Sequence, residues 1–172
     1  ALVSAVLFAF SFPSFISLRG FPLLAWISLV PLFLAIVHAG GGGPLRSSVS
    51  AIFYGIAFGA LQTLLLNYWH GTYSYISLAF SVLISSLLYA IFFVPYVLLV
   101  RGSGRWGFAT ATVAWVGFEY IRTLFYIGYP WGLIPVSQYA LLPVIQIADV
   151  TGIWGIGFVV VLTNAAIAWY VS

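Results

Sequence analysis

The segment that decides the fold runs from Gly107 to Tyr126 and reads GFATATVAWVGFEYIRTLFY. A helix of about 20 mostly apolar residues is long enough to cross a bilayer. Near its end, Glu119 and Arg122 lie one helical turn apart, and Glu119 is one of only two acidic residues among 172. Ionisable side chains at membrane depth are costly unless they are paired and used. The segment therefore predicts a membrane helix and a candidate functional site.

The composition of the whole chain also indicates a membrane protein. Hydrophobic residues make up 64% and charged residues 4%, whereas about a quarter of a soluble chain is charged. Five arginines and two acids are too few and too scattered for a nucleic-acid surface, so no nucleic-acid partner is expected. Cysteine is absent, and the two histidines lie in segments that end on opposite faces. We expect no metal site and no cofactor.

Proline, glycine and arginine divide the chain into about six apolar segments. This pattern predicts an all-α membrane protein, a polytopic bundle of about six transmembrane helices. The first segment begins without a methionine and the last is still apolar at its end, so we expect residues 1–172 to be a single transmembrane domain and a fragment of a longer chain. The segments run near 1–12, 21–39, 47–68, 73–100, 107–126 and 150–172.

The stretch 127–149 is apolar but contains three prolines, so it cannot continue as one helix. Non-helical backbone near membrane depth needs protein or water to satisfy it, which predicts an interfacial or re-entrant loop. Tyr129 and Trp131 suit the headgroup level, where amphipathic aromatic side chains concentrate. Asp149 is expected to cap the start of the last helix.

The arginines predict the orientation. Arg46, Arg101 and Arg105 follow the second and fourth segments, and cytoplasmic loops carry the excess of positive charge. The remaining loops then face outward. We therefore expect the end of the fifth segment, the Asn67–His70 turn and the 127–149 loop to share the outer face.

Several candidate residues have simpler interpretations. An ion pair spaced like Glu119 and Arg122 can merely neutralise itself near the interface. Trp131 can be an interfacial anchor, and His70 an interfacial structural residue. Other residues indicate helix packing. Gln62 and Asn164 suit hydrogen bonds between helices, and Gly55 and Gly59, which form a G-x-x-x-G pattern, allow two helices to approach closely.

Three short motifs together resemble a known family. FEYIR at 118–122, GYPWG at 128–132 and SQY at 137–139 resemble the (F/W)-E-x-x-R, G-(F/Y)-P-W and S-Q run of apolipoprotein N-acyltransferases. Asn67-Tyr68-Trp69 and Asn164-Ala165-Ala166 resemble that family's third and sixth helices. The resemblance covers essentially the whole chain.

The resemblance implies an activity and a location. The family transfers an acyl chain from a phospholipid to the N-terminal amine of a diacylated lipoprotein, at the outer face of the bacterial cytoplasmic (inner) membrane. A Glu-Lys-Cys triad in an outward nitrilase-like domain carries that chemistry. This chain has neither lysine nor cysteine, so we expect no catalytic residue in it and no activity alone. The implied partners are the phospholipid donor, the lipoprotein acceptor and the membrane, and we expect a monomer.

The resemblance also suggests how the membrane region contributes. It implies that Arg122 binds a lipid phosphate, that Glu119 orients Arg122 and that Trp131 forms a wall of the acyl entrance. The expected substrate- and lipid-binding residues are Arg122, Trp131, Glu119, Tyr129, Gln138, Asn67 and His70.

Other functions remain open at this point. A small transporter or a lipid-binding membrane subunit would use the buried charges to gate a pathway. No inverted repeat relates residues 1–86 to 87–172, which weakens the transporter hypothesis. A third possibility is a membrane anchor for a polyprenol-phosphate glycosyltransferase.

Overall fold

The computed structural model describes residues 1–38, 43–124 and 128–172, and in these residues the regular secondary structure is entirely helical. The predicted all-α membrane bundle is confirmed. The ends of two predicted segments, at 39 and 126, and the start of the predicted loop at 127 lie outside the described residues. The α-helices are α1 (Leu2–Phe10), α2 (Ala25–Ser28), α3 (Val30–His38), α4 (Pro44–Leu66), α5 (Tyr75–Gly102), α6 (Gly107–Ile121), α7 (Leu142–Ile145) and α8 (Ala148–Val171).

Only part of the predicted helix lengths is observed. In the described residues, the three helices α4, α5 and α8 are long and apolar enough to cross a membrane, with 23, 28 and 24 residues. The other segments form shorter helices: α1 has 9 residues, α3 has 9 and α6 has 15. Two prolines account for the division of the second segment into short helices. Pro22 opens a 3₁₀ turn, and Pro31 lies in the first turn of α3, where its missing N–H is tolerated.

Asn164 on α8 bonds the backbone groups that are left without a helical partner at the break between α2 and α3. Its Nδ2 donates to Ala25 O at 2.8 Å, and its Oδ1 accepts the backbone N–H of Leu29 at the same distance. In a continuous helix, Ala25 O and Leu29 N would bond each other. The buried amide therefore stands between the two halves of an interrupted helical hydrogen bond, and the predicted interhelical role of Asn164 is confirmed.

Close packing joins α4 to α5. A Cβ on Gly55 would lie 2.6 Å from Ala90 Cα, and one on Gly59 would lie 2.9 Å from Ser85 O. These positions accept only glycine without a shift of the neighbouring backbone, as the G-x-x-x-G pattern predicts. Away from this contact the helices expose large apolar side chains such as Ile91 and Val113, which suits a lipid environment.

The centre of the bundle is an aromatic cluster around Trp115 on α6. Trp115 is fully buried, and four rings from α3, α4 and α5 have centroids between 5.7 and 6.2 Å from its own. Rings at these separations and tilts make favourable edge-to-face contacts. The cluster fixes α6 against its neighbours, and with it the position of Glu119 one turn further on. The four rings belong to Phe33, Phe58, Phe93 and Tyr96.

Three connections meet at one end of the bundle, which we call the loop face: residues 11–24, 67–74 and 128–147. Tyr139 donates to Leu18 O at 2.8 Å, and Tyr129 donates to Asn67 Oδ1 at 2.9 Å. The predicted convergence of the Asn67–His70 turn with the loop that follows α6 is confirmed. That this face is outward remains a prediction.

Arginine side chains mark the opposite end. Arg46 lies in the first turn of α4, Arg101 in the last turn of α5 and Arg105 just beyond it. Arg101 donates through Nε and Nη2 to Ile36 O, at 3.2 and 3.0 Å, and through Nη1 to Ser47. A guanidinium on the terminal carbonyls of a helix satisfies acceptors that have no partner within the helix.

The loop that follows α6 is folded into the bundle. It forms a 3₁₀ turn at Ile134–Gln138 and the short α7, and most of residues 132–138 are buried. The prediction that this stretch is not one helix is confirmed. The prediction for Asp149 is wrong: α8 begins at Ala148, and no side chain caps its first turn. Helical geometry is interrupted instead at Gly152, where φ is +66°.

Candidate functional site

Glu119 is fully buried near the C-terminal end of α6. Its carboxylate accepts the indole N–H of Trp115 at 3.2 Å and the backbone N–H of Ile134 at 3.1 and 3.3 Å to its two oxygens. A buried carboxylate needs such donors, since burial without them is strongly unfavourable. Glu119 thus holds the loop at the point where the 3₁₀ turn begins.

Arg122 is the C-cap residue that follows α6, and it contacts the same loop. Its Nη2 donates to Trp131 O at 2.9 Å and to Gly132 O at 2.7 Å. Its Nη1 lies 3.3 Å from the hydroxyl oxygen of Tyr89, and its central carbon lies 5.9 Å from the Tyr89 ring centroid. The planar guanidinium therefore joins two loop carbonyls to α5.

The i,i+3 ion pair that the spacing suggests is not formed. Among residues 1–38, 43–124 and 128–172, Glu119 and Arg122 each bond other groups and do not contact each other directly. The carboxylate takes a backbone donor and the guanidinium takes backbone acceptors, all within residues 131–134. We call this arrangement the loop clamp: Glu119, Arg122 and the backbone of residues 131–134.

Gly132 makes the clamp possible. Its φ of +70° lies in the left-handed region that disfavours other residues, and a Cβ there would lie 2.9 Å from Leu66 Cδ1. The backbone conformation favours glycine, whereas the contact with the flexible Leu66 side chain could be relieved by a shift of that side chain. With Gly132 in place, two consecutive carbonyls reach the same guanidinium nitrogen.

The clamp leaves aromatic side chains at the surface of the loop face. The Trp131 side chain is 53% exposed, and its ring centroid lies 5.9 Å from that of Trp69. Tyr129 is partly buried, which raises the pKa of its hydroxyl, while the nearby Arg122 opposes this shift. The Tyr129 hydroxyl is therefore protonated at neutral pH, and it donates a hydrogen bond to Oδ1 of the buried Asn67.

The remaining predicted residues lie beside this cluster. His70 packs edge-on against Trp69, and its Nδ1 lies 2.9 Å from Ser81 Oγ. Gln138 is fully buried, accepts from Trp26 Nε1 at 3.0 Å and donates to Pro22 O at 3.0 Å. Gln138 thus ties the loop to the connection before α2 and does not bond the clamp.

Two residues near the clamp were not among the predicted site residues. Tyr89 supplies a hydroxyl to Arg122, and Gln62 reaches toward Gly132 from α4. Both lie in long apolar segments, where polar side chains otherwise bond their own helix. In the sequence, only the polarity of Gln62 within an apolar segment pointed to this region. That polarity predicted a hydrogen bond to another helix, and the prediction is wrong, because Gln62 Nε2 bonds the adjacent Thr63 at 2.7 Å.

Fold and site together define a class: a polytopic helical membrane protein in which the buried Glu119 and the partly buried Arg122 hold an aromatic loop at one end of the bundle. The chain matches the family described as apolipoprotein N-acyltransferase N-terminal domain over residues 4–166. It therefore belongs to the apolipoprotein N-acyltransferase family, and the match is to the N-terminal domain.

Curated relatives carry the same name. The chain is 32% identical to apolipoprotein N-acyltransferase 1 of Treponema denticola, with 98% of the chain and 30% of that protein covered. It is 34% identical to the apolipoprotein N-acyltransferase of Geobacter metallireducens, covering 97% of the chain and 32% of the relative. The chain thus spans about a third of the length of these relatives. No solved structure matches it.

Proposed function

We propose that this chain is the membrane region of an enzyme that transfers an acyl chain from a phospholipid to the N-terminal amine of diacylated lipoproteins. In this proposal the chain anchors the enzyme in the bacterial inner membrane as part of a monomer. The loop face is directed outward, where lipid and lipoprotein meet. The family match supports this function over a transporter, a lipid-binding subunit or a glycosyltransferase anchor.

The chemistry itself is assigned to residues outside this chain. The family's Glu-Lys-Cys triad needs a lysine and a cysteine, and the 172 residues contain neither. What this chain contributes is position, since holding reactants in attack geometry can lower a barrier by about 7–11 kcal/mol. Substrate positioning calls for rigid backbone beside exposed apolar and polar side chains.

The observation that carries the proposal is the loop clamp beneath Trp131. The buried Glu119 and the partly buried Arg122 hold the backbone at and just after a half-exposed tryptophan. An interfacial anchor alone does not require a buried carboxyl group and a guanidinium to fix its backbone. We propose that Trp131 contacts the acyl chain or glycerol region of the donor lipid.

The other predicted residues divide into contact and positioning roles in this proposal. Tyr129 and His70 would contact the lipid headgroup or the lipoprotein at the loop face. The buried Asn67 would position Tyr129 through their hydrogen bond, and Gln138 would position the loop. Arg122 already bonds the protein through Nη1 and Nη2. We therefore assign Arg122 and Glu119 primarily to positioning, because a bidentate phosphate contact by Arg122 would require release of the loop carbonyls.

The test compares two exposed tryptophans in the full-length enzyme. Trp131 is 53% exposed at the loop face and Trp106 is 58% exposed at the opposite end. Trp131→Ala should lower kcat/KM for acyl transfer to a diacylated lipopeptide by roughly 10- to 100-fold, the range that follows from misplacing a substrate. Trp106→Ala should leave it unchanged. Full activity in Trp131→Ala, at equal expression, would refute the proposed role.

A further inference from the structure

The indole of Trp131 is held less firmly than its backbone. Arg122 donates to the Trp131 carbonyl at 2.9 Å, which fixes the main chain of the loop. The indole N–H makes no hydrogen bond within residues 1–38, 43–124 and 128–172, and the residue is 53% exposed. A tryptophan side chain turns about two bonds. An exposed indole without a hydrogen bond therefore needs another contact to keep one orientation.

Trp69 supplies an aromatic contact to this indole. The two ring centroids lie 5.9 Å apart, and the ring planes are tilted by 53°. Aromatic rings at such a distance attract each other in tilted arrangements. Within the described part of the chain, no other aromatic ring contacts that of Trp131. The orientation of the Trp131 side chain therefore depends on the position of Trp69.

Trp69 is itself anchored in the turn that follows α4. Its carbonyl accepts the Thr72 hydroxyl at 2.7 Å. The ring of His70 packs edge-on against the Trp69 ring at 4.2 Å, and His70 Nδ1 lies 2.9 Å from Ser81 Oγ on α5. Tyr73 contacts the Trp69 ring as well, at 6.0 Å. Since Trp69 is also partly buried, it offers a fixed surface to the more exposed Trp131.

We propose that Trp69 is a positioning residue, which holds the indole of Trp131 in the orientation that contacts the donor lipid. This inference rests on the proposed function, because it concerns the lipid contact assigned there to Trp131. The loop clamp and Trp69 then have separate tasks. The clamp fixes the backbone of the loop, and Trp69 selects the orientation of one side chain on it.

The first experiment measures acyl transfer by the full-length enzyme. One aromatic pair favours its own arrangement by roughly 2- to 10-fold. Trp69→Ala should therefore lower kcat/KM by roughly 2- to 10-fold at equal expression, and Trp69→Phe, which keeps a ring, should restore most of the loss. Tyr68→Ala is the matched control. Its ring lies in the same turn but contacts Phe15, at 5.3 Å, so kcat/KM should stay unchanged.

A double variant shows whether Trp69 acts through Trp131. Once the Trp131 side chain is removed, Trp69 has no indole to orient. Trp69→Ala should then cause no further loss of kcat/KM in the Trp131→Ala protein. Losses that multiply in the double variant would overturn the inference, because Trp69 would act independently of Trp131. So would full activity of Trp69→Ala where Trp131→Ala is impaired.

Fluorine NMR tests the orientation without reference to activity. In full-length protein labelled with 5-fluorotryptophan, the Trp131 resonance is assigned by its loss in Trp131→Phe. Trp69→Ala should change the relaxation rates of this resonance to those of a more mobile indole, whereas Trp69→Phe and Tyr68→Ala should leave them near the wild-type values. Unchanged relaxation in Trp69→Ala would overturn the inference.

The two measurements also separate this inference from the proposed function. Full activity of Trp131→Ala refutes the lipid contact of Trp131 and, with it, any part of Trp69 in acyl transfer, whatever the NMR shows. Impaired Trp131→Ala with an unaltered Trp131 resonance in Trp69→Ala leaves the proposed function intact and refutes only the positioning by Trp69. Impaired activity that is not additive, together with a more mobile indole, supports both.

Discussion

The Glu119 carboxylate accepts the backbone N–H of Ile134, 15 residues further along the chain, at 3.1 Å. Through this contact Glu119 acts as an acceptor for the turn, without a direct hydrogen bond to Arg122. Substitutions that keep or remove the acceptor should therefore differ. Glu119→Leu should destabilise the full-length protein by about 1–3 kcal/mol for each N–H left without a partner.

The matched variant is Glu119→Gln, which keeps one carbonyl oxygen facing Trp115 and Ile134. It should lose clearly less stability in chemical unfolding than Glu119→Leu, since the amide oxygen can still accept. If the two variants were equally unstable, the negative charge and not the acceptor would be the important property, and the clamp would be misassigned.

The double substitution separates a clamp from an ion pair. When two charges pair with each other, removing both relieves the penalty of removing one. In the loop clamp, Arg122→Leu abandons Trp131 O and Gly132 O, while Glu119→Leu abandons a different group, Ile134 N–H. The double variant should therefore be at least as unstable as the worse single variant. A double variant with restored unfolding free energy would contradict the clamp.

Asn164 should be among the most sensitive polar positions of the bundle. Asn164→Leu leaves both Ala25 O and Leu29 N–H without the amide that joins them. We expect a loss of about 2–5 kcal/mol from two unpaired buried groups, read as a lower Tm of the purified protein.

The neighbouring Thr163 provides the control for that helix. Its hydroxyl bonds only Val159 O within α8, at 2.9 Å. Thr163→Val should change Tm little. A comparable loss in both variants would mean that α8 responds to any polar-to-apolar change and that Asn164 has no special role.

The orientation of the bundle can be tested by labelling. Gly43 and Gly102 lie at the arginine-bearing end with open space around them, and Thr72 is exposed at the loop face. In intact cells, cysteines at 43 and 102 of the full-length protein should resist an impermeant thiol reagent, and a cysteine at 72 should react. The unsubstituted protein gives the background. The reverse pattern would refute an outward loop face.

Sequence reasoning succeeded where a residue type leaves few structural solutions. An asparagine within an apolar helix must find partners, and Asn164 finds them across the bundle. Prolines after residue 127 excluded a continuous helix, and the loop is indeed broken into turns. Both conclusions follow from the chemistry of single residues, which does not depend on knowing the tertiary contacts.

Sequence reasoning failed where the partner is backbone that returns from elsewhere in the chain. The spacing of Glu119 and Arg122 predicts a pair on one helix, but α6 ends at Ile121 and the loop brings its own N–H and C=O groups between them. A glycine at 132 with positive φ enables this, and that conformation could not be read from local spacing. The prediction for Gln62 failed for the opposite reason, because its amide bonds the adjacent Thr63 on its own helix.

The bridge between the α2–α3 break and α8 also constrains the order of assembly. Leu29 is synthesised 135 residues before Asn164. Until α8 is inserted, the backbone at the break lacks the amide that satisfies it in the native bundle, and such groups are unfavourable in lipid. The break between α2 and α3 therefore reaches its final structure only when α8 arrives.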